Sequence, residues 1–265
     1  MKMQRRSLLT AFATLALSAA LAPTASADLT QFETASADSI IQPGGPRTTS
    51  GGSTLVNYFY NVEGSNNGSN ASWAPSDYSG FSMGLTSLSQ LTSFQIALTE
   101  VNAGFSHSGL VGVFLSTDTT TNIGLGSPLT FQTGTALPTG LDSQLSNAVG
   151  NPLATYTFPQ TGSGNNGTVD TINLLPGLAG LNGTAQADLL AALNGGGDIR
   201  LVIAPLDTTV AATWAGIGNT SSGGPFAAPV LEANVVPEPS SALLMGLGFV
   251  AVAAGLALRR RAACA

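Results

Sequence analysis

The chain has 265 residues, of which 43% are hydrophobic and 8% charged, with a formal net charge of −6. Six of its eight basic residues, Lys2, Arg5, Arg6, Arg259, Arg260 and Arg261, lie at the two ends, so the segment from Asp28 to Glu238 sets two positive charges against fourteen negative ones. A surface that acidic repels phosphate backbones and anionic lipid, which excludes nucleic-acid binding.

The N-terminus reads as an export label. Lys2, Arg5 and Arg6 form a basic start, Leu8 to Ala22 an apolar core, and Ala25-Ser26-Ala27 a small-residue cleavage site. Residues 1–27 are therefore expected to be a signal peptide, with Ala25 and Ala27 as its cleavage-site residues and Asp28 as the first residue after the cut. The paired arginines lack the flanking Ser/Thr and Lys of a full twin-arginine signal, so the general secretory machinery is the expected partner. The sole cysteine, Cys264, lies near the other end, so no disulfide can form within 28–235 and stability must come from a packed core. About 210 residues suffice for one domain.

Within 28–235, short apolar or alternating runs are broken by Gly, Asn, Pro, Ser and Thr, a pattern of strands and turns. Strands are predicted at 55–62, 91–98, 109–115, 153–158, 168–174, 199–204, 211–217 and 230–235. One short helix is predicted over 185–193, capped by Thr184 and stopped by Asn194-Gly195-Gly196-Gly197, with a weaker candidate at 141–149. The expected fold is all-β: a single β-sandwich of jelly-roll-like topology with one short helix, its core including Phe94, Ile96, Val111, Val113, Leu201 and Ile203.

Few residues in this segment point to chemistry. His107 is the only histidine and lies in a Ser-rich loop, where a solvated side chain is the ordinary role, and no Gly-x-Ser-x-Gly elbow accompanies it. One His and no Cys make no zinc site, so no metal-binding residue and no cofactor is assigned. A structural calcium could use Asp38, Asp77, Asp118 or Asp207, but no repeated Asp spacing groups them and solvated loop carboxylates are the better reading. The scatter of acids offers no pair for glycoside hydrolysis. Trp73, Tyr78 and Phe81 occupy a loop-like stretch of Ser, Asn and Gly. There Trp73 and Tyr78 could form a ring platform for matrix polysaccharide, or all three could fold back to plug the end of the sandwich.

The C-terminus carries the most specific signal. Val236-Pro237-Glu238-Pro239 precedes an uncharged apolar run, Ser240 to Leu258, and Arg259-Arg260-Arg261 follows it. Nineteen residues at ~1.5 Å each would span the ~30 Å core of a bilayer as a helix, so a C-terminal transmembrane helix is expected over 240–258. The three arginines would stop it on the cytoplasmic side of the inner membrane. Two prolines remove two backbone donors and hold Val236 to Ser240 extended and accessible.

This order of elements over Val236 to about Ala262 resembles the PEP-CTERM sorting tail of exported proteins in Gram-negative bacteria that make exopolysaccharide. The resemblance implies that an exosortase, a membrane-embedded cysteine transpeptidase, recognises Pro237-Glu238-Pro239, cuts near it and releases the body toward the cell surface. The expected organisation is thus 1–27 signal peptide, 28–235 ectodomain and 236–262 sorting tail, transiently anchored in the inner membrane. The expected function is a non-enzymatic binding or structural module of a surface layer, biofilm or exopolysaccharide matrix. The alternative is a secreted hydrolase acting on polysaccharide or peptide.

Overall fold

The computed structural model describes residues 29–42, 45–46, 59–64, 72–101, 104, 106–116, 123, 152–159, 166–221 and 225–235. All belong to one unit, Leu29–Val235. In chain order its strands are β1 (Leu29–Thr34), β2 (Ala37–Asp38), β3 (Ile41–Gln42), β4 (Gly45–Pro46), β5 (Phe59–Glu63), β6 (Ala74–Tyr78), β7 (Leu91–Thr99), β8 (Gly109–Ser116), β9 (Ala154–Phe158), β10 (Val169–Asn173), β11 (Ile199–Pro205), β12 (Ala211–Ala215) and β13 (Val230–Val235). Helix α1 (Gly183–Leu193) precedes β11, and the five-residue α2 (Ile217–Ser221) follows β12.

The body is mostly β-strand and the predicted core residues are buried, but the expected single β-sandwich is not what forms. The strands fall into four antiparallel sheets: β1-β13-β7-β10, β2-β6-β11-β8-β9, the ribbon β12-β5 and the hairpin β3-β4. Among the described residues they close into neither a barrel nor a sandwich. One physical reason lies in β11, the Ile199–Pro205 run, which is buried at all seven positions. Ile199, Leu201 and Ile203 join the main core, whereas Val202 and Ala204 join a second apolar cluster with Ile41, Trp73, Phe114 and Ile123. Apolar side chains thus cover both faces of that sheet, which explains why β11 reads as a continuous apolar run rather than an alternating one. The four-stranded sheet behaves conventionally: on β7, Phe94, Ile96 and Leu98 are buried while Ser93, Gln95 and Ala97 are half-exposed.

Local boundaries also shift. The cap of α1 is Asn182, whose Oδ1 accepts from the Ala185 amide at 2.9 Å, and not Thr184. At its other end the Asn194 side chain clasps the Leu85 backbone, accepting from its N–H at 2.7 Å and donating to its carbonyl at 2.8 Å. The predicted strand 211–217 stops at Ala215, because Asp38 Oδ2 accepts from the Ile217 amide at 2.7 Å and starts α2 there. The weaker helix candidate at 141–149 lies outside the described residues.

The expected membrane-spanning helix, and the inner-membrane anchoring built on it, gain no support. Among the described residues no helix is long and apolar enough to cross a membrane. The longest, α1, has eleven residues and spans only about 16 Å. The 240–258 run itself lies outside the described residues.

Candidate functional site

The sequence-predicted sorting residues Val236 to Pro239, the arginines 259–261 and the cleavage residues Ala25 and Ala27 all lie outside the described residues. The described body ends at Val235, the last residue of β13, which pairs with Leu91. The Pro-Glu-Pro therefore begins two residues beyond an ordered sheet strand.

Tyr78 ends strand β6 and Trp73 immediately precedes it, so neither lies on a free loop. The extended segment Trp73 to Tyr78 bridges Ile41 at its start and pairs along β11 through β6. Trp73 and Tyr78 are five residues apart, so the alternation of a strand sends them to opposite faces. Trp73 packs into the second cluster at 1% exposure, and Tyr78 enters the main core at 0%. Within that core Tyr78 accepts from Ser76 Oγ at 3.1 Å, and Tyr60 donates to the Ala74 carbonyl at 2.7 Å. Burial pushes the Tyr60 and Tyr78 hydroxyls above their ordinary range, so both remain protonated donors. Neither ring face is available to a sugar, and Phe81 is buried as well.

The structure brings together charges that the sequence left scattered. Arg200 on β11 stands directly opposite Asp77 on β6, and the two form a buried fork with Nε to Oδ1 at 2.6 Å and Nη2 to Oδ2 at 2.9 Å. The calcium candidates therefore have separate roles. Asp77 pairs Arg200, Asp38 anchors α2, and Asp207 caps a turn by accepting from the Thr209 amide and hydroxyl, both at 2.7 Å. Those Thr209 bonds hold the Asp207 carboxyl below its ordinary range. Asp118 lies outside the described residues. Among the described residues no three His, Cys, Asp or Glu side chains converge.

A second acidic feature is a carboxyl pair. Leu98 of β7 lies opposite Asp170 of β10, and the Glu100 amide donates to the Thr168 carbonyl at 2.7 Å, so Glu100 and Asp170 are diagonal neighbours on one face. Both are buried, and their side chains share a hydrogen bond. Asp170 also accepts from Trp214 Nε1 at 2.8 Å and from the Tyr156 hydroxyl. Burial and the Asp170 charge push the Glu100 carboxyl up to about 7, so Glu100 holds the shared proton below neutrality. Trp214 is fixed further by an edge-on contact with Phe158, ring centres 5.3 Å apart.

Two clefts open on the body. One, of about 230 Å³, includes Ser116, Asp188, Asp198 and Arg200 in its wall. The other, of about 560 Å³, has a floor of Leu88, Leu91, Leu175, Leu178 and Leu190 with a rim that includes Ser87 and Gln186. Neither contains Glu100, Asp170, Trp73, Tyr78 or His107. His107 is exposed and joins Ala211 only through the backbone, its N–H donating to that carbonyl at 3.0 Å.

Sequence reasoning missed both buried pairs because no local motif announces them. Asp77 and Arg200, like Glu100 and Asp170, meet only through strand register. Comparison with curated proteins finds no match for the chain. Against protein families, residues 235–261 match the PEP-CTERM protein-sorting motif, so a sorting motif of that kind is present near the C-terminus.

Proposed function

We propose that this protein is an exported surface or extracellular-layer component, processed by an exosortase close to Pro237-Glu238-Pro239, whose body serves as a non-enzymatic structural module. The observation that carries the proposal is the PEP-CTERM match over residues 235–261, which begins where β13 ends. A processing enzyme reads an extended backbone, and two prolines in its target favour one by removing two backbone donors and fixing φ. The signal-like N-terminus is consistent with the same route.

The structural role is supported by where the polar chemistry sits. Asp77 with Arg200 and Glu100 with Asp170 are buried and paired across strands, an arrangement that fixes register and specifies one packing. Neither cleft contains the carboxyl pair. The net acidic balance keeps such a module soluble and free of anionic surfaces until it is assembled.

The test is to replace Pro237, Glu238 and Pro239 together by alanine in the producing cell and to compare the exported product with the parent. The expected result is loss of the mature form from the extracellular fraction and accumulation of a longer one. A triple variant exported at the parent's mature mass would overturn the proposal.

A further inference from the structure

The two-stranded ribbon of β5 and β12 carries three polar side chains on the face turned away from Tyr60 and Trp214. Asn61 and Glu63 are two residues apart on β5 and so share that face, and Thr213 of β12 stands directly opposite Asn61. Asn61, Glu63 and Thr213 are exposed at only 0%, 5% and 1%. The ladder type follows from one bond: the Gly64 amide donates to the Val210 carbonyl at 2.8 Å, which makes 64 and 210 a hydrogen-bonded pair. Alternation then makes Asn61 and Thr213 a non-hydrogen-bonded pair, the kind in which side chains approach most closely.

The orientation of the Asn61 amide follows from its neighbours. Asn61 Nδ2 donates to Glu63 Oε1, so the amide oxygen is turned toward Thr213. Thr213 Oγ1 donates to that oxygen at 2.9 Å, and Ser106 Oγ stands 3.5 Å from Thr213 Oγ1. A carbonyl bond of about 1.2 Å puts Oγ1 no more than about 4 Å from Asn61 Cγ, near the ~3–3.5 Å of a reacting pair. A hydroxyl, an amide carbon and a carboxylate are thus held together in a site closed to water.

We propose that Thr213 and Asn61 become joined by an intramolecular ester, formed by the folded protein itself with Glu63 as the proton carrier. Oγ1 attacks Cγ, a new Oγ1–Cγ bond forms, the Cγ–Nδ2 bond breaks, and ammonia leaves. Glu63, already bonded to Nδ2, takes up the hydroxyl proton of Thr213 and delivers a proton to that nitrogen, ending as it began. Hydroxyl and amide become ester and ammonia with no oxidant or co-reactant. Ammonia is drawn off as ammonium in bulk water, and burial protects the ester from hydrolysis. The product is an ester rather than an amide cross-link because the sole lysine, Lys2, lies at the far N-terminus. The cross-link would do for this body what a disulfide does elsewhere, since its only cysteine is Cys264.

The experiment is mass spectrometry of the full-length gene product purified from the cells that export it, intact and after digestion under denaturing conditions. The expected parent is lighter than its processed sequence by about 17 Da, the mass of one ammonia, and yields one branched peptide joining the Asn61 and Thr213 segments. Thr213→Val and Asn61→Ala should restore full mass, and Glu63→Gln should leave a folded protein that is not cross-linked. A parent at full mass with separate linear peptides would overturn the proposal. So would a 17 Da loss that persists in Thr213→Val, since that marks an asparagine cyclised on its own backbone. The parent digest decides the matter even where a variant fails to fold.

Discussion

Glu100 gives the body a pH dependence of definite sign. Its carboxyl is raised from an ordinary 4.5 to about 7 by burial and by the Asp170 charge. Between those values the native state holds a proton that the unfolded chain has released, so folding takes up a proton. Stability is then fully present below about pH 4.5, falls as pH rises through 7, and levels off above it. A displacement of that size is worth about 3 kcal/mol, a large share of the stability of a single domain. Glu100→Gln keeps a donor toward Asp170 and cannot titrate, so it should match the parent near pH 5 and exceed it by up to about 3 kcal/mol at pH 8. Urea unfolding followed by tryptophan fluorescence at pH 5, 6.5 and 8 measures both proteins, because Trp214 donates directly to the pair and reports its loss. Parallel pH profiles for parent and variant, or a variant weaker at pH 8, would refute the shared-proton account.

Arg200→Ala leaves the Asp77 charge buried and unpaired and should cost about 3–5 kcal/mol, whereas Arg200→Met with Asp77→Leu should recover most of it in the same unfolding assay. Trp73→Ala opens a cavity in the second cluster and should lower stability by about 3–5 kcal/mol as read by thermal melting. Asn182→Ala removes the α1 cap and should cost about 1 kcal/mol by urea titration, while Thr184→Ala should change little. Gly177→Ala should unfold or distort the turn it occupies, since an added Cβ would lie 2.1 Å from the Leu153 carbonyl oxygen, and circular dichroism will register the loss.

Much of the strand set was legible because apolar alternation and turn residues report it directly. β7, β8, β10, β11 and β13 fall where periodicity puts them, and Phe94, Ile96, Val111, Val113, Leu201 and Ile203 are all buried. β6 was not legible: Ala74-Pro75-Ser76-Asp77-Tyr78 has the composition of a loop. It holds as a strand because β11 supplies a full partner on one side, while β2 pairs only at Asp77 and Ser76 on the other, away from the donor that Pro75 lacks. That misreading left a surface platform open for Trp73 and Tyr78 beside the inward-folded alternative, and both side chains are buried. The division into four sheets was also hidden, because periodicity gives each strand's faces but not which strands pair. The same limit concealed the Glu100–Asp170 pair and the Asn61, Glu63 and Thr213 cluster, whose members are joined only by register. The sorting motif, in contrast, is linear and local, so the sequence carried it whole.

Under the proposed route the chain is exported and parted from its C-terminal tail near Pro237-Glu238-Pro239. Peptide mass spectrometry of the protein recovered outside the cell tests it most directly. The account predicts coverage through β13 and no peptide from Leu243 onward; recovery of an intact Leu256 to Arg259 segment in that fraction would contradict it.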